Sequence, residues 1–326
     1  MEKMNRKIVV IGGGTGTSVL LSGLKHYFND VAAIVTVADN GGGSGVLRED
    51  LGMLPPGDVR ACLLALAELE PAMEKMLNHR FTQGRLKGQN CGNLLIAAMT
   101  EIYGDFGLAI EKLSSVLRVS GRVYPMTLKD VNLAACLSSG VKVYGESQIP
   151  LEAMKRGERI QRLWLEPEEV DAPVESVEAI ASADCIILGP GSLYTSILPN
   201  LLVPGLREAI ANAKAPRIYV SNIMSQPGET DGFAVQDHVQ VIRDHGGIGL
   251  IDYALIHTGE VPENDLARYE EDGAHLITYG KGEKEQLEKW GIQPIAASFV
   301  EVSKGYIRHD SHAISQKIQE LLIHKQ

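Results

Sequence analysis

The sequence predicts an α/β fold: a Rossmann-like parallel sheet core with an inserted helical segment and a small β segment. Three observations carry this. Two short β-branched runs end in glycine clusters, at residues 12–16 and 41–45. An amphipathic stretch separates them, and strand–helix–strand at this length means parallel strands. The strand–glycine–helix order then returns at residues 185–192, far along the chain.

The elements follow in order. Residues 7–11 form a first strand that runs into Gly12-Gly13-Gly14-Thr15-Gly16. Leu20, Leu24 and Phe28 at i, i+4, i+8 stripe the following helix. Residues 31–37 form a second strand that ends at Asp39-Asn40. Residues 51–117 have helical character. Within them Pro55-Pro56-Gly57-Asp58 stops one segment and starts a helix over 59–69, and residues 90–103 form another. From 121 to about 165 the pattern turns to short strands. Residues 131–136 and 141–144, joined through Ser138-Ser139-Gly140, read as a hairpin. The α/β rhythm resumes with strands at 185–188, 217–220, 250–257 and 296–302. Ile314, Ile318, Leu321 and Leu322 stripe a last helix. The expected organisation is one unit over 1–326: a core from about 1–50 and 171–326, a helical insertion over 51–118 and a β-rich one over 119–170.

Composition narrows the function classes. The 326 residues carry 31 Lys plus Arg against 41 Asp plus Glu, a net charge of −10. An acidic chain without basic runs is a poor candidate for nucleic-acid binding, which neutralises many phosphates. No apolar run approaches the roughly 20 residues of a membrane span. Residues 1–6 are polar, and the apolar run at 8–11 is too short for a signal-peptide core. Cys62, Cys91, Cys136 and Cys185 are far apart, which predicts reduced thiols and a cytoplasmic location.

The glycine loops carry the chemistry. Glycines after a strand let the backbone approach a ligand, and the amides of the next helix N-terminus suit a phosphate. Gly12, Gly13, Gly14, Thr15 and Gly16 therefore read as a ligand-facing loop. Thr17 and Val19 break the strict G-x-G-x-x-G fingerprint in its two registers, and no G-x-x-x-x-G-K-[ST] loop occurs. Asp39, Asn40, Gly41, Gly42 and Ser44 form a second loop beside the first, with Asp39 near the offset of a ribose-binding acid. Asp58 and Arg60 open a helix. Asp58 is either a cap or a ligand of metal or hydroxyl, and Arg60 either a surface charge or a phosphate partner. Asn90 and Asn93 fit capping and ligand recognition equally. Gly189, Gly191 and Ser192 form a phosphate cradle in the second half, with Thr195 and Ser196 on its rim. Asn222 and the turn Gln226-Pro227-Gly228-Glu229-Thr230 follow the next strand, where a base or sugar reader fits. His238 and His245, seven apart, share a helix face, and no H-E-x-x-H or G-x-S-x-G motif occurs.

Five segments occur in the order seen in the 2-phospho-L-lactate transferase (CofD-like) family. They are Ile8-Val9-Val10-Ile11-Gly12-Gly13-Gly14-Thr15-Gly16, Ala38-Asp39-Asn40-Gly41-Gly42-Gly43-Ser44-Gly45, Pro55-Pro56-Gly57-Asp58-Val59-Arg60, Gly92-Asn93-Leu94-Leu95 and Gly189-Pro190-Gly191-Ser192-Leu193-Tyr194-Thr195-Ser196. Over residues 7–311 the chain most resembles the bacterial gluconeogenesis-factor (YvcK-like) branch. The resemblance implies a UDP-sugar-binding protein linked to carbon use, cell shape and cell-wall synthesis, with a protein partner in wall synthesis and a homo-oligomeric state. In the transferase branch it implies Mg²⁺, with Asp39 and Asp58 as metal ligands and catalytic carboxylates. The activity there moves a phospho-organic acid group from a nucleoside-diphosphate carrier to a hydroxyl. A nicotinamide-dependent oxidoreductase is the third reading, and a dinucleotide such as NAD is a substitute ligand. Relatives commonly read Asp-Asp-Gly-Gly-Ser-Ser-Gly, so Asn40 replaces a carboxylate here and Gly43 a hydroxyl. That change favours the binder over the transferase.

Overall fold

The computed structural model describes residues 3–303 and 305–323. Met1 and Glu2 of the polar leader lie outside the described residues. The chain opens with β1 (Met4–Gly12), α1 (Gly14–Leu24) and β2 (Phe28–Val35). A run of helices follows: α2 (Gly42–Leu51), α3 (Gly57–Leu66), α4 (Pro71–Asn78), α5 (Cys91–Tyr103) and α6 (Phe106–Val116). Next come β3 (Arg122–Pro125), β4 (Asn132–Leu137), β5 (Lys142–Tyr144), α7 (Gln148–Arg156) and β6 (Ile160–Glu166). The second half holds α8 (Val174–Ala181), β7 (Cys185–Leu188), a π-helical turn (Leu193–Ile197), α9 (Leu198–Leu201), α10 (Pro204–Asn212), β8 (Arg217–Val220), α11 (Val235–Gly246) and β9 (Tyr253–His257). It closes with α12 (Glu263–Glu271), α13 (Lys281–Lys289), β10 (Gln293–Ala297), β11 (Val300–Ser303), β12 (Tyr306–His309) and α14 (Ser311–Ile323).

Seven strands form one sheet in the order β10-β9-β8-β7-β1-β2-β3, and every neighbouring pair is parallel. Parallel strands carry helices on both faces, so their residues are apolar on both sides. Ile8, Val9, Val10 and Ile11 of β1 and all of β7 are fully buried. Each such Val or Ile contributes roughly 1.5–3 kcal/mol of burial. Helix α1 packs on α3 and α14, and α5 on α6. From β1 the chain winds outward to β2 and β3, then returns beside β1 and winds the other way. The order therefore reverses between β1 and β7, the kind of switch point at whose carboxyl strand ends open α/β sheets take ligands.

The structure differs from the sequence reading at four elements. Phe28 does not continue the α1 stripe. The helix ends at Leu24, where Lys25, His26 and Tyr27 close it with bonds to Leu21, Gly23 and Leu24, and Phe28 starts β2. Residues 122–125 are not part of the small β segment. They pair with β2 as the edge of the main sheet, so that segment is the separate three-stranded sheet β5-β4-β6. The stretch 296–302 divides into β10 and β11, and the strand expected from 250 begins at Tyr253. The hairpin is present, with β4 antiparallel to β5 across Ser138, Ser139 and Gly140. The small sheet is tied to the core by His245, whose Nε2 accepts from the Leu163 amide at 3.1 Å while its Nδ1 meets Val241 O at 2.9 Å.

Candidate functional site

Two glycine loops meet at the β1/β7 switch point. Gly12 ends β1, Gly13 precedes α1, and Gly14, Thr15 and Gly16 form its first turn. Gly14 has φ +67, a conformation that favours glycine. Gly189 follows β7 with φ +77, and Ser192 caps the π-helical turn, its Oγ accepting from the Thr195 amide at 3.1 Å. Thr17, fully buried, stitches the loops: its Oγ1 accepts from Gly13 N at 3.0 Å and donates to Pro190 O at 3.1 Å. The contact is close. A Cβ at Gly16 would lie 2.7 Å from Pro190 O, and one at Gly191 3.2 Å from Gly13 O. Asn200, also fully buried, braces the floor by donating to Gly12 O at 3.1 Å and Ser196 O at 2.8 Å.

The loop after β2 adds carboxylates. Asp39 Oδ1 accepts from Gly41 N at 2.7 Å, which turns the chain into α2, where Gly42, Gly43 and Ser44 form the first turn. Asp58 sits in the first turn of α3. A Cβ at Gly13 would lie 2.6 Å from Asp58 Oδ2, and one at Gly57 3.5 Å from Asp39 Oδ2. Burial, then the charge of Asp39, pushes Asp58 up to about 7, against a bond from Gly14 N–H that favours its ionised form. Asn40 serves the frame: its Oδ1 accepts from Ser147 N at 3.0 Å, and its amide packs against Gly145.

Two further acids complete the group: Glu146, which the sequence reading missed, and Glu229, which it named only within a candidate base- or sugar-reading turn. Glu146 follows β5, and burial with the charges of Asp39, Asp58 and Glu229 pushes it up to about 7. Glu229 lies in the turn after β8 and rises to about 7 through burial, although Ser192 Oγ donates to it. Thr195 Oγ1 donates to Ser192 Oγ at 2.7 Å and also hydrogen-bonds Glu146, so a polar chain joins the two acids. A 320 Å³ cavity lined by Met154, Arg159, Gly228, Glu229 and Asp231 lies beside it.

The remaining predicted residues fall around this centre. Arg60 lies against Gly92 at the start of α5, and Asn93 N is capped by Asn90 Oδ1 at 3.1 Å. Asn222 follows β8 with a buried Oδ1 that has no hydrogen-bond partner. His238 and His245 both lie on α11, each with Nδ1 on the carbonyl four residues back. His238 is buried and His245 half-buried, and desolvation holds both below the usual histidine range. None of the four cysteines forms a disulfide among the described residues.

Mg²⁺ suits the donor set. It takes one or two carboxylates and completes its shell with water and ligand phosphate. Asp39 and Asp58 supply two such groups beside the glycine amides. Among the described residues, no three of His, Cys, Asp and Glu form a complete cage. No single helix there is long and apolar enough to cross a membrane.

The comparisons agree with this architecture. The family model "2-phospho-L-lactate transferase CofD" matches residues 8–300. The chain belongs to the CofD family. A relative from Clostridium acetobutylicum is 50% identical over 319 residues, 98% of this chain and 70% of its own length. The gluconeogenesis factor of Bacillus subtilis is 45% identical over 317 residues, 97% of this chain and 98% of its own. A crystal structure of a UPF0052 family member from Bacillus halodurans superposes with a TM-score of 0.92 at 44% identity, covering 96% of this chain and 99% of that one.

Proposed function

We propose that this CofD-family chain is a gluconeogenesis-factor-type protein that binds a nucleoside-diphosphate sugar of the UDP-sugar class. The diphosphate lies on the amides of Thr15, Gly16, Gly191 and Ser192, Asp39 and Asp58 would hold Mg²⁺ to offset its charge, and Asn222 reads base or sugar. The cytoplasmic protein, as a homo-oligomer, reports the bound sugar to a partner in cell-wall synthesis. The observation that carries this reading is the Thr17 stitch, which holds two amide-rich turns together at the switch point. Calorimetry with UDP-N-acetylglucosamine and Mg²⁺ tests it. Ligand at about 100 times its Kd adds about 2.7 kcal/mol of stability. Absence of both heat and thermal shift at millimolar ligand refutes it. A dinucleotide such as NAD enters as a weaker substitute, through its own diphosphate.

One observation favours the transferase as second reading. Asp58 at about 7 is matched to general-base work near neutral pH. An acceptor hydroxyl would give its proton to Asp58 while its oxygen attacks phosphorus, and a nucleoside monophosphate would leave. Asn40 does not argue against this, because its side chain is committed to Ser147 and Gly145. Mg²⁺-dependent release of a nucleoside monophosphate from a diphospho donor separates the two readings.

A further inference from the structure

We propose that Arg60 and Arg80, with Gln89 and Asn93, form a second oxyanion subsite that takes a carboxylate or phosphate on the non-nucleotide end of the ligand. The proposal rests on the nucleotide reading for the rest of that ligand only.

Both arginine side chains pack against the first turn of a helix. Arg60 packs on the first turn of the 13-residue helix α5: a Cβ at Gly92 would lie 2.8 Å from its Cδ. Arg80 packs on the first turn of α2, with Nη1 3.5 Å from where a Cβ on Gly43 would stand. A helix N-terminus carries partial positive charge and prefers an anion. The two cations also repel. Arg80 adjoins the same helix start as Arg60, its backbone bridging Asn90, the cap of α5. Among the described residues, neither guanidinium has a carboxylate at ion-pair distance. Arg60 spends Nη1 on Asn78 Oδ1 at 3.0 Å, and Arg80 spends Nη1 on Gly88 O at 2.5 Å. Arg60 Nε is buried with no partner.

The amides beside them point the same way. Gln89 is 8% exposed, and its Oε1, without a donor, lies 3.2 Å from the same point above Gly43. Asn93 is 3% exposed, and its Oδ1 is likewise unpartnered on the α5 side. Buried polar groups in native proteins have partners, so vacant acceptors next to vacant donors call for a ligand that offers both. An oxyanion flanked by hydroxyls, as in a sugar acid, a hydroxy acid or a sugar phosphate, meets that demand. The subsite is separate from the diphosphate loops: Gly13 faces Asp58, whereas Arg60 and Arg80 face α5 and α2.

Calorimetry on the full chain with Mg²⁺ tests this, using UDP, UDP-glucose and UDP-glucuronate on the wild type and Arg80→Gln. Arg80 is exposed, so the variant keeps its fold, which its melting curve verifies. UDP-glucuronate should bind about tenfold more tightly than UDP-glucose, and Arg80→Gln should erase that gain while leaving UDP affinity unchanged. Inorganic phosphate is the second probe, read as a rise in melting temperature that Arg80→Gln removes. A response to either probe alone upholds the subsite and names carboxylate or phosphate as its occupant. Equal affinity for the two sugars together with an unchanged phosphate response in the variant overturns it. If UDP itself does not bind, the nucleotide reading fails separately. The phosphate arm then decides the subsite: a shift lost in Arg80→Gln supports it, and no shift or an equal shift overturns it.

Discussion

Asp58→Asn should stabilise the protein above neutral pH while weakening its ligand affinity. In the unfolded chain this carboxyl ionises near 3.8, and in the fold near 7. Between those values the native state keeps a proton that the unfolded state releases. Wild-type stability from this group therefore falls as pH rises through the window and is level above 7. A shift of about 3 units at 1.36 kcal/mol each makes the whole effect about 4 kcal/mol. Asparagine has no charge to bury, and its Oδ1 can still accept from Gly14 N–H. The advantage of the variant over wild type should then grow by about 3 kcal/mol between pH 5 and pH 8. Urea denaturation at both pH values, with a chelator present, measures it. A stability difference that is the same at both values, within about 0.5 kcal/mol, would show that Asp58 is not held in the environment described. A residue that lowers stability in this way and is nonetheless present belongs to function more than to folding.

Two further substitutions probe the loops. Gly16→Ala puts a methyl 2.7 Å from Pro190 O, backbone against backbone, so the loops must separate by several tenths of an ångström. Such overpacking costs about 1–3 kcal/mol, and UDP-N-acetylglucosamine affinity should drop with it; unchanged urea midpoint and affinity would contradict the contact. Ser192→Ala removes the hydroxyl that donates to Glu229 and accepts from Thr195. A buried group left unsatisfied costs about 1–3 kcal/mol, and the loss should be larger at pH 8 than at pH 6, because Glu229 must then ionise without its donor.

The core strands were legible along the chain because a strand buried on both faces is a continuous apolar run, and because glycine marks where backbone can approach a ligand. Gly12–Gly16 and Gly189–Ser192 therefore stood out. Glu146 did not, and Glu229 did so only as a member of a candidate turn, not as an acid. Each sits beside a glycine in a polar turn, Gly145 at φ +94 and Gly228 at φ +79, which reads as a solvated corner. They reach the site through tertiary placement: Ser147 N bonds Asn40, and Gly228 packs on the backbone of Pro150. No local periodicity records such contacts. Phe28 misled for a related reason. A residue buried at i+8 fits a helix stripe, and it fits equally the first inward position of a strand after a three-residue turn. Residues 122–125 were read with the small β segment because they adjoin it in sequence, while pairing with β2 is long-range.

The acids also decide how an anionic ligand enters. At pH 7 Asp58, Glu146 and Glu229, each near 7, together hold on the order of one proton or more. A diphosphate arriving alone adds negative charge beside them, raises their proton affinity and draws protons in. A diphosphate arriving with Mg²⁺ would bring the cation to Asp39 and Asp58, lower the proton affinity of Asp58 and expel its proton. The two routes therefore differ in the sign of proton exchange. Calorimetry of UDP-N-acetylglucosamine binding in buffers of different ionisation enthalpy measures that sign as a slope. With Mg²⁺ the slope should correspond to release of about half a proton at pH 7 and shrink towards zero by pH 8.5, where the acids are already ionised. Affinity should rise correspondingly between pH 6 and pH 8. Proton uptake in the presence of Mg²⁺ would show the diphosphate beside these acids without the cation and remove the metal from the binding scheme.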